Sequence, residues 1–228
     1  AAICPADAVR HGDLDPADFP PAPETLDFQT VLGLLRSRRS VRVYEPREVP
    51  EEAVHQLLQA ARYAPTGHHS CHVGATVLLD PAAVAALREA VVRFFRRFAA
   101  VIENPAGRLV ARLVVGGGRV EEVVAALPGF RVAAERLERG EDPLFHGAPA
   151  VVLFHAPPGE TSEVDCALAA GQVTLLAPSL GLGTCHIGYA SAVLKRSTRL
   201  ARAAGVPGGE RVHAVLAGTD GGALTPMY

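Results

Sequence analysis

The spacing of hydrophobic residues predicts two amphipathic helices early in the chain. From Asp27 onward apolar side chains recur every three or four residues, at Phe28, Val31, Leu32 and Leu35, which is the period of an α-helix. A second helix is predicted to begin at Pro50, because proline suits the first turn and acidic residues follow it near the positive end of the helix dipole. Ala64-Pro65 is expected to end this helix, since proline disfavours helical geometry in the preceding residue.

Farther along, short apolar runs predict strands and longer periodic segments predict helices. The predicted strands are residues 74–79, 148–156, 184–188 and 211–217. The predicted helices are residues 83–102, two pieces within 107–139 with breaks at 116–118 and 128–129, 163–180 with an irregularity at Pro178, and 192–204. This pattern predicts an α+β domain with a small, mainly antiparallel sheet flanked by helices.

Composition and charge narrow the class of protein. The chain has 228 residues, of which 49% are hydrophobic, enough for a sizeable core. Its 22 basic and 24 acidic residues give a net charge of -2, so no electrostatic footprint for nucleic acid is present. Four cysteines do not resemble a disulfide scaffold, and neither a signal-peptide pattern nor an apolar run of membrane-spanning length is seen. We expect a reduced, cytoplasmic protein without a nucleic-acid or membrane partner.

The densest group of candidate ligand-binding side chains is the arginine fork, residues 38–42. It contains Arg38, Arg39, Ser40 and Arg42. Guanidinium groups grip phosphate oxygens two at a time, and the serine hydroxyl adds a short neutral donor. A solvated basic turn is the alternative, because runs of charge usually lie on the surface. The local sequence alone leaves both open.

The N-terminal residues resemble the end of an iron–sulfur motif. Cys4-Pro5 would be the last two residues of the bacterial ferredoxin pattern C-x2-C-x2-C-x3-C-P if a cysteine preceded Ala1. A single thiol cannot hold a cluster, so no cluster is expected in this chain, and Cys4 is otherwise a free surface thiol. We therefore expect a ferredoxin-like remnant and linker at residues 1–26 and one domain at residues 27–228.

Residues 66–72 are expected to form a loop rich in potential metal ligands: His68, His69, Cys71 and His72. Neighbouring residues rarely converge on one ion, so we expect a polar loop beside a cofactor pocket and no metal site. Elsewhere, histidines within strands are expected to have satisfied hydrogen bonds and cysteines within apolar stretches to be core thiols. These residues are His155, His213, Cys166 and Cys185.

Four motifs together resemble the nitroreductase family of flavoproteins, in the branch that carries an N-terminal ferredoxin domain. They are RRSVRVY at 38–44, AARYAPTG at 60–67, APAVVLFHA at 148–156 and SLGLGTCHIGY at 179–189. The resemblance covers most of residues 27–218. It implies the nitroreductase-like fold and a homodimer that binds two FMN molecules at its interface.

The resemblance also assigns residues to the cofactor. It places Arg38, Arg39, Ser40 and Arg42 at the FMN phosphate and ribityl chain. It places the isoalloxazine ring along the loop residues Pro65, Thr66, Gly67, His69 and Cys71, partly from the neighbouring subunit. Ile187 and Gly188 would meet the reactive edge of the flavin through backbone groups. No side chain is expected to act as a catalytic acid or base, because the cofactor carries the redox step.

The implied reaction has two half-reactions. NADH, NADPH or a reduced iron–sulfur centre would deliver two electrons and leave, and a small acceptor such as a nitro compound, a quinone or an activated alkene would then take them. The Cys4-Pro5 sequence suggests a ferredoxin-type donor.

Several positions depart from the family pattern. The usual loop Asn and Gln are His69 and Cys71, the usual aromatic of the TCWIG motif is His186, and a C-terminal Lys/Arg pair has no counterpart at 217–224. An imidazole can still donate to a flavin carbonyl, whereas a thiol is a weak partner. The alternative is thus a nitroreductase-like dimer that has lost flavin and binds another ligand.

Overall fold

The structure is a computed structural model that describes residues 24–45, 47–115 and 117–220. The predicted ferredoxin remnant around Cys4 and Pro5 and the C-terminal residues 221–224 lie outside these ranges. The chain divides after Ser37, so that the first helix belongs to one compact unit and every later element to another. The domain boundary expected between residues 26 and 27 stays a prediction.

Helix α1 (Phe28–Ser37) forms as its hydrophobic period predicts. Asp27 caps its start, because the carboxylate accepts hydrogen bonds from the backbone N–H groups of Gln29 and Thr30 at 2.9 and 3.1 Å. None of its side chains is buried, and Phe28 and Leu35 are 72% and 53% exposed. The helix therefore carries an exposed apolar face.

Four antiparallel strands form the sheet: β1 (Gly74–Leu78), β2 (Ala150–Ala156), β3 (Leu182–His186) and β4 (Arg211–Asp220), in the spatial order β1-β2-β4-β3. The α+β class with a small antiparallel sheet is confirmed. The central strands β2 and β4 carry nearly continuous apolar side chains because both of their faces are covered.

Seven helices follow α1 in the described residues. They are α2 (Glu51–Arg62), α3 (Pro81–Glu103), α4 (Pro105–Val115), α5 (Gly117–Glu138), α6 (Ser162–Leu176), α7 (Gly188–Arg196) and α8 (Thr198–Ala203). The 3₁₀ turn Ala177–Leu180 extends α6 and contains Pro178, where an irregularity was predicted. Gly181 ends this segment with a left-handed φ of 71°, which glycine adopts without a steric penalty.

Two predicted helix boundaries are wrong. α5 continues through Pro128 instead of breaking there, because α3 contacts it on both sides of the proline. Before Pro128, Val120 and Leu127 pack with Ile102, and after it Arg131 and Glu138 form ion pairs with Glu103 and Arg96. The helix predicted at 192–204 is two helices, the first of which begins at Gly188, so the strand predicted at 184–188 ends earlier, at His186. Ser197 divides them, and its hydroxyl caps α8 by accepting the N–H of Leu200 at 3.3 Å.

Helices cover both faces of the sheet. On one face, α6 packs on Phe154 and Leu216, with α2 beside it. On the other, α3 and α7 pack on Val151 and Val215. Neighbouring residues of one strand thus serve opposite cores, as the two-residue repeat of a strand requires. No helix among the described residues has both the length and the apolar character needed to cross a membrane.

The predicted burial of the cysteines and the predicted hydrogen bonds of the histidines are confirmed, except at His213. Cys166 and Cys185 are buried, as expected, and His155 contacts Thr76 and Glu210 through its two ring nitrogens. His213 is different, because the ladder between β2 and β4 shifts register beside it and leaves it without a partner residue on β2. Both of its ring nitrogens are buried and have no hydrogen-bond partner within the described part of the chain.

Candidate functional site

The arginine fork is attached to the edge of strand β3. Ser40 forms a parallel bridge with Thr184, and the N–H of Val41 donates to the Thr184 carbonyl at 3.0 Å. The side chain of Val41 lies over Gly183, where an added Cβ would come within 2.8 Å of it. The absence of a side chain at Gly183 therefore lets the fork approach the strand this closely.

The guanidinium groups of the fork create a local positive potential. Arg38 is half-buried, Arg42 is exposed, and neither forms an ion pair with a carboxylate among the described residues. Burial, followed by the charge of Arg38, lowers the pKa of His186. Burial, followed by the charge of Arg42, likewise lowers the pKa of His146. Positive charge thus reaches two neighbouring imidazoles and favours their neutral forms.

The junction of β3 and α7 offers a backbone donor four residues after Thr184, the bridge partner of Ser40. The N–H of Ile187 is already used, because it donates to the Val215 carbonyl at 2.9 Å, and its own carbonyl accepts from Ser191. Gly188 begins α7, so its N–H has no partner within the helix, and no side chain of the described residues caps this end. Gly188, and not Ile187, therefore has a backbone N–H that is available to a ligand, and this N–H lies at the positive end of the helix dipole.

His186 is fixed against α6 at the end of β3. Its Nε2 lies 3.3 Å from the hydroxyl oxygen of Thr174, and that hydroxyl donates to the Ala170 carbonyl at 2.8 Å. Because the hydroxyl proton is engaged, the Thr174 oxygen can accept from an Nε2–H of His186. The residue that replaces the family's usual aromatic is therefore an imidazole with a defined partner on α6.

A buried carboxylate that sequence reasoning did not single out holds the predicted ring-contact loop. Asp165 of α6 is only 2% exposed. Its Oδ1 accepts the N–H of Gly67 at 2.9 Å, and its Oδ2 accepts the hydroxyl of Thr161 at 2.8 Å and lies 3.4 Å from His72 Nε2. The Gly67 N–H is the main cause that lowers the pKa of Asp165, with help from Thr161 and the neighbouring imidazoles of His72 and His68 and against the effect of burial.

The loop itself has an unusual backbone. His68, His69 and Cys71 have φ values of 53°, 54° and 48°, in the left-handed region that residues with a side chain rarely adopt. The Thr66 hydroxyl accepts the N–H of Cys71 at 3.1 Å and stabilises this conformation. Gly67 must be glycine, because an added Cβ would lie 2.4 Å from the Thr161 side chain. Strain of this kind is typical of ligand-contacting loops, and His69 and Cys71 are exposed there.

The predicted site residues form two groups in one protomer. The arginine fork is attached to β3 at Thr184 and Gly188 follows the end of that strand, whereas the loop is held near the start of α6 by Asp165. Thr174, which contacts His186, follows Asp165 by nine residues, or about 13 Å along the helix axis. α6 therefore contacts His186 and the loop at separate points along its length. Within the described residues, no three His, Cys, Asp or Glu side chains are arranged to hold a metal ion.

Comparison with known sequences decides the family. The model of the Nitroreductase family matches residues 35–218, a span that contains the arginine fork, the loop and the β3–α7 junction. The chain belongs to the nitroreductase family. Membership assigns this nitroreductase-family protein to the oxidoreductases, as the four motifs predicted.

Similar proteins agree with this assignment. Nitroreductase NfnB of Mycolicibacterium smegmatis is 27% identical over 180 residues, which cover 72% of this chain and 74% of the relative. An FMN-bound nitroreductase from Bacteroides fragilis superposes with a TM-score of 0.63 at 21% identity, over 87% of this chain and 91% of its own. One from Desulfitobacterium hafniense, also with bound FMN, gives 0.60 at 18% identity over 87% and 92%. The nitroreductase-like fold is confirmed.

Proposed function

We propose that this nitroreductase-family protein is an FMN-dependent oxidoreductase that reduces nitro compounds, quinones or similar acceptors by two electrons. One observation carries the proposal: Arg38 and Arg42, which have no carboxylate partner among the described residues, lie on the strand edge that leads to the available N–H of Gly188. An anionic cofactor would compensate this charge.

The fork fits the phosphate end of FMN in both charge and donor geometry. Arg38 and Arg42 would bind phosphate oxygens by charge-assisted hydrogen bonds, with Arg39 and Ser40 extending the contact to the ribityl chain. The charges of Arg38 and Arg42 add to the larger effect of burial in lowering the pKa values of His186 and His146, which agrees with a positive potential around the fork.

The loop supplies the contacts proposed for the flavin ring. Pro65, Thr66 and Gly67 would lie along it, and the exposed imidazole of His69 can donate to a ring carbonyl where the family usually has Asn. Cys71 provides only a weak partner. The N–H of Gly188 would face the reactive edge of the flavin, and Ile187 would support it by packing, since its own N–H is used within the fold.

A homodimer is part of the proposal. The exposed apolar face of α1, with Phe28 and Leu35, is the kind of surface that a second protomer covers. The separate contacts of His186 and the loop along α6 also agree with a ring site completed by two subunits, as the family resemblance implies.

When bound, FMN accepts two electrons from a donor and passes them to an acceptor. The residues of this chain bind and orient the cofactor, and no acidic or basic side chain is proposed to move a proton. NADH, NADPH or a reduced iron–sulfur centre remains the proposed donor, the last of these on the basis of Cys4-Pro5. A cytoplasmic location is proposed because the buried thiols of Cys166 and Cys185 are unpaired.

Initial-rate kinetics test the two half-reactions. With FMN-loaded protein, a nitroarene or quinone acceptor, and NADH, NADPH or reduced ferredoxin as donor, we expect parallel double-reciprocal lines, because the first product leaves before the second substrate reacts. Intersecting lines would contradict this sequence. Turnover with none of the three donors, together with normal folding, would favour the alternative of a binding protein, which the substitutions at His69 and Cys71 suggest.

A further inference from the structure

We propose that a groove between α3 and α8 binds an elongated amphiphile, a molecule with an apolar chain and a carboxylate at one end. The groove has a volume of about 730 Å³, which lies within the roughly 300–1,000 Å³ of small-molecule sites. One wall is a stripe of α3 from Ala83 to Arg97, or about 21 Å along the helix axis. The opposite wall extends from Ser197 to Ala204 and includes α8. The groove therefore has the length to hold an extended chain.

One end of the groove is apolar. Between Ala83 and Ala90, every α3 residue that lines the groove is an alanine or a leucine. The buried Leu87 and the half-buried Leu78 of β1 belong to this part, and both pack in the core on this face of the sheet. Alanine side chains leave the space open above them. An apolar chain that lay here would leave water without removing a charge from solvent, which favours its binding.

The other end of the groove is positively charged. Arg93 and Arg97 line it one turn apart on α3, and Arg199 lines it from α8. Arg93 pairs with Glu89, whereas neither Arg97 nor Arg199 forms an ion pair with a carboxylate among the described residues. The described residues that line the groove include no acidic side chain. Two exposed guanidinium groups can therefore bind an anion, and their planar donor geometry suits a carboxylate.

The arginines lie toward one end of the groove on both walls. Gly205, directly after Ala204, faces Thr76 of β1, since an added Cβ would lie 3.5 Å from the Thr76 methyl group. The C-terminal end of α8 therefore lies at the strand that leads into the apolar start of α3, and Arg199 lies more than one turn before that end. An acidic peptide helix would need cations along its whole length. Charge at one end only favours a ligand with a single anionic head and an apolar tail.

Titration calorimetry with decanoate tests the proposal on the full chain, with each probe below its micellar concentration. We expect saturable binding of one decanoate per protomer. Decyltrimethylammonium carries the same chain on a cationic head and should bind at least tenfold more weakly. Octanoate lacks two CH₂ groups and should also bind about tenfold more weakly, because each buried CH₂ contributes about threefold to fourfold in affinity.

Variants on the two walls locate the site. Replacing both Arg97 and Arg199 with glutamate should weaken decanoate binding by about tenfold or more and reverse the preference toward decyltrimethylammonium. The same change at Arg62, exposed on α2 across the sheet, should leave both affinities unchanged. Ala90→Phe places a ring in the groove and should weaken both probes, whereas Ala82→Phe, at an exposed position of α3 outside the groove, should weaken neither. Glutamine at both arginine positions serves if the charge-reversed protein does not fold.

The outcomes separate this proposal from the proposed function, on which it does not rest. Decanoate binding that charge reversal and Ala90→Phe weaken, and that the Arg38→Ala/Arg42→Ala variant retains, supports the groove, whether or not FMN binds. Absence of saturable binding overturns it, and so does a loss confined to the Arg38→Ala/Arg42→Ala variant, which would place the carboxylate at the arginine fork.

Sedimentation of the charge-reversed protein tests a second protomer as the occupant. A change of oligomeric state without decanoate binding to the wild type would assign the groove to a contact between protomers and would also overturn the proposal. Because no residue of the arginine fork lines the groove, failure of FMN to bind would contradict the proposed function alone.

Discussion

Replacing both Arg38 and Arg42 with alanine should weaken FMN binding by about a hundredfold or more, because two charge-assisted hydrogen bonds of about 1.5–3 kcal/mol each are lost. The fold should persist. Neither arginine forms an ion pair with a described carboxylate, and the bridge from Ser40 to Thr184 uses backbone atoms only.

Fluorescence titration with FMN and thermal unfolding measure the two effects separately. Arg93→Ala is the control, since it removes an exposed arginine that pairs with Glu89 on α3. A second readout follows from the potential of the fork: without Arg38 and Arg42, NMR titration should show higher pKa values for His186 and His146. Unchanged FMN affinity in the double variant would place the phosphate site elsewhere.

Replacing Asp165 with alanine should destabilise the protein and loosen the loop at 65–71. The N–H of Gly67 and the hydroxyl of Thr161 would lose their common acceptor inside the fold. Unsatisfied groups of this kind are costly, and we expect the unfolding temperature to fall by about 5 °C or more. FMN affinity should also fall, because the ring contacts proposed for the loop depend on its position.

The effect of Asp165 depends on pH in a defined direction. The pKa of this carboxyl is lowered in the folded protein. Its stabilising effect is therefore complete above the unfolded pKa of about 3.9 and is lost as the pH falls through the lower folded value. The difference in unfolding temperature between wild type and Asp165→Ala should be full at neutral pH and should shrink in acid.

Glu163→Gln is the matched control for Asp165. Glu163 also lies in the first turn of α6, but it is exposed and pairs with Lys195 at the surface, where such a pair contributes little. Equal unfolding temperatures for the two variants at neutral pH would show that Asp165 does not hold the loop.

Local periodicity was enough to predict the α+β class and the four strands. The apolar runs in β2 and β4 are typical of strands covered on both faces, and that is their position in the sheet. Pro128 misled the same reasoning, because local propensity suggests a break, whereas contacts with α3 before the proline, through Leu127, and after it, through Arg131, keep α5 continuous. Such contacts join distant segments and leave no local pattern.

In the candidate site, too, features with a local sequence pattern could be predicted, whereas features that depend on distant contacts could not. The arginine fork is a local run and could be found from the sequence, and Gly181 after α6 was recognisable as a helix end. The role of Asp165 was not, since its partner Gly67 lies 98 residues away. The one available signal was an acidic residue within the most apolar helix. Likewise, only the pairing of Ile187 with Val215 shows that Gly188, and not Ile187, has an available N–H.

Binding of FMN to the purified full chain tests the central claim most directly. The protein should be stripped of any cofactor and titrated with FMN while the flavin fluorescence is recorded. We expect saturable binding of one FMN per protomer with a dissociation constant of about 1 µM or lower, as several charge-assisted contacts to the phosphate would give. Absence of saturation at high micromolar FMN, with the protein folded, would contradict the assignment of the arginine fork and of the oxidoreductase function.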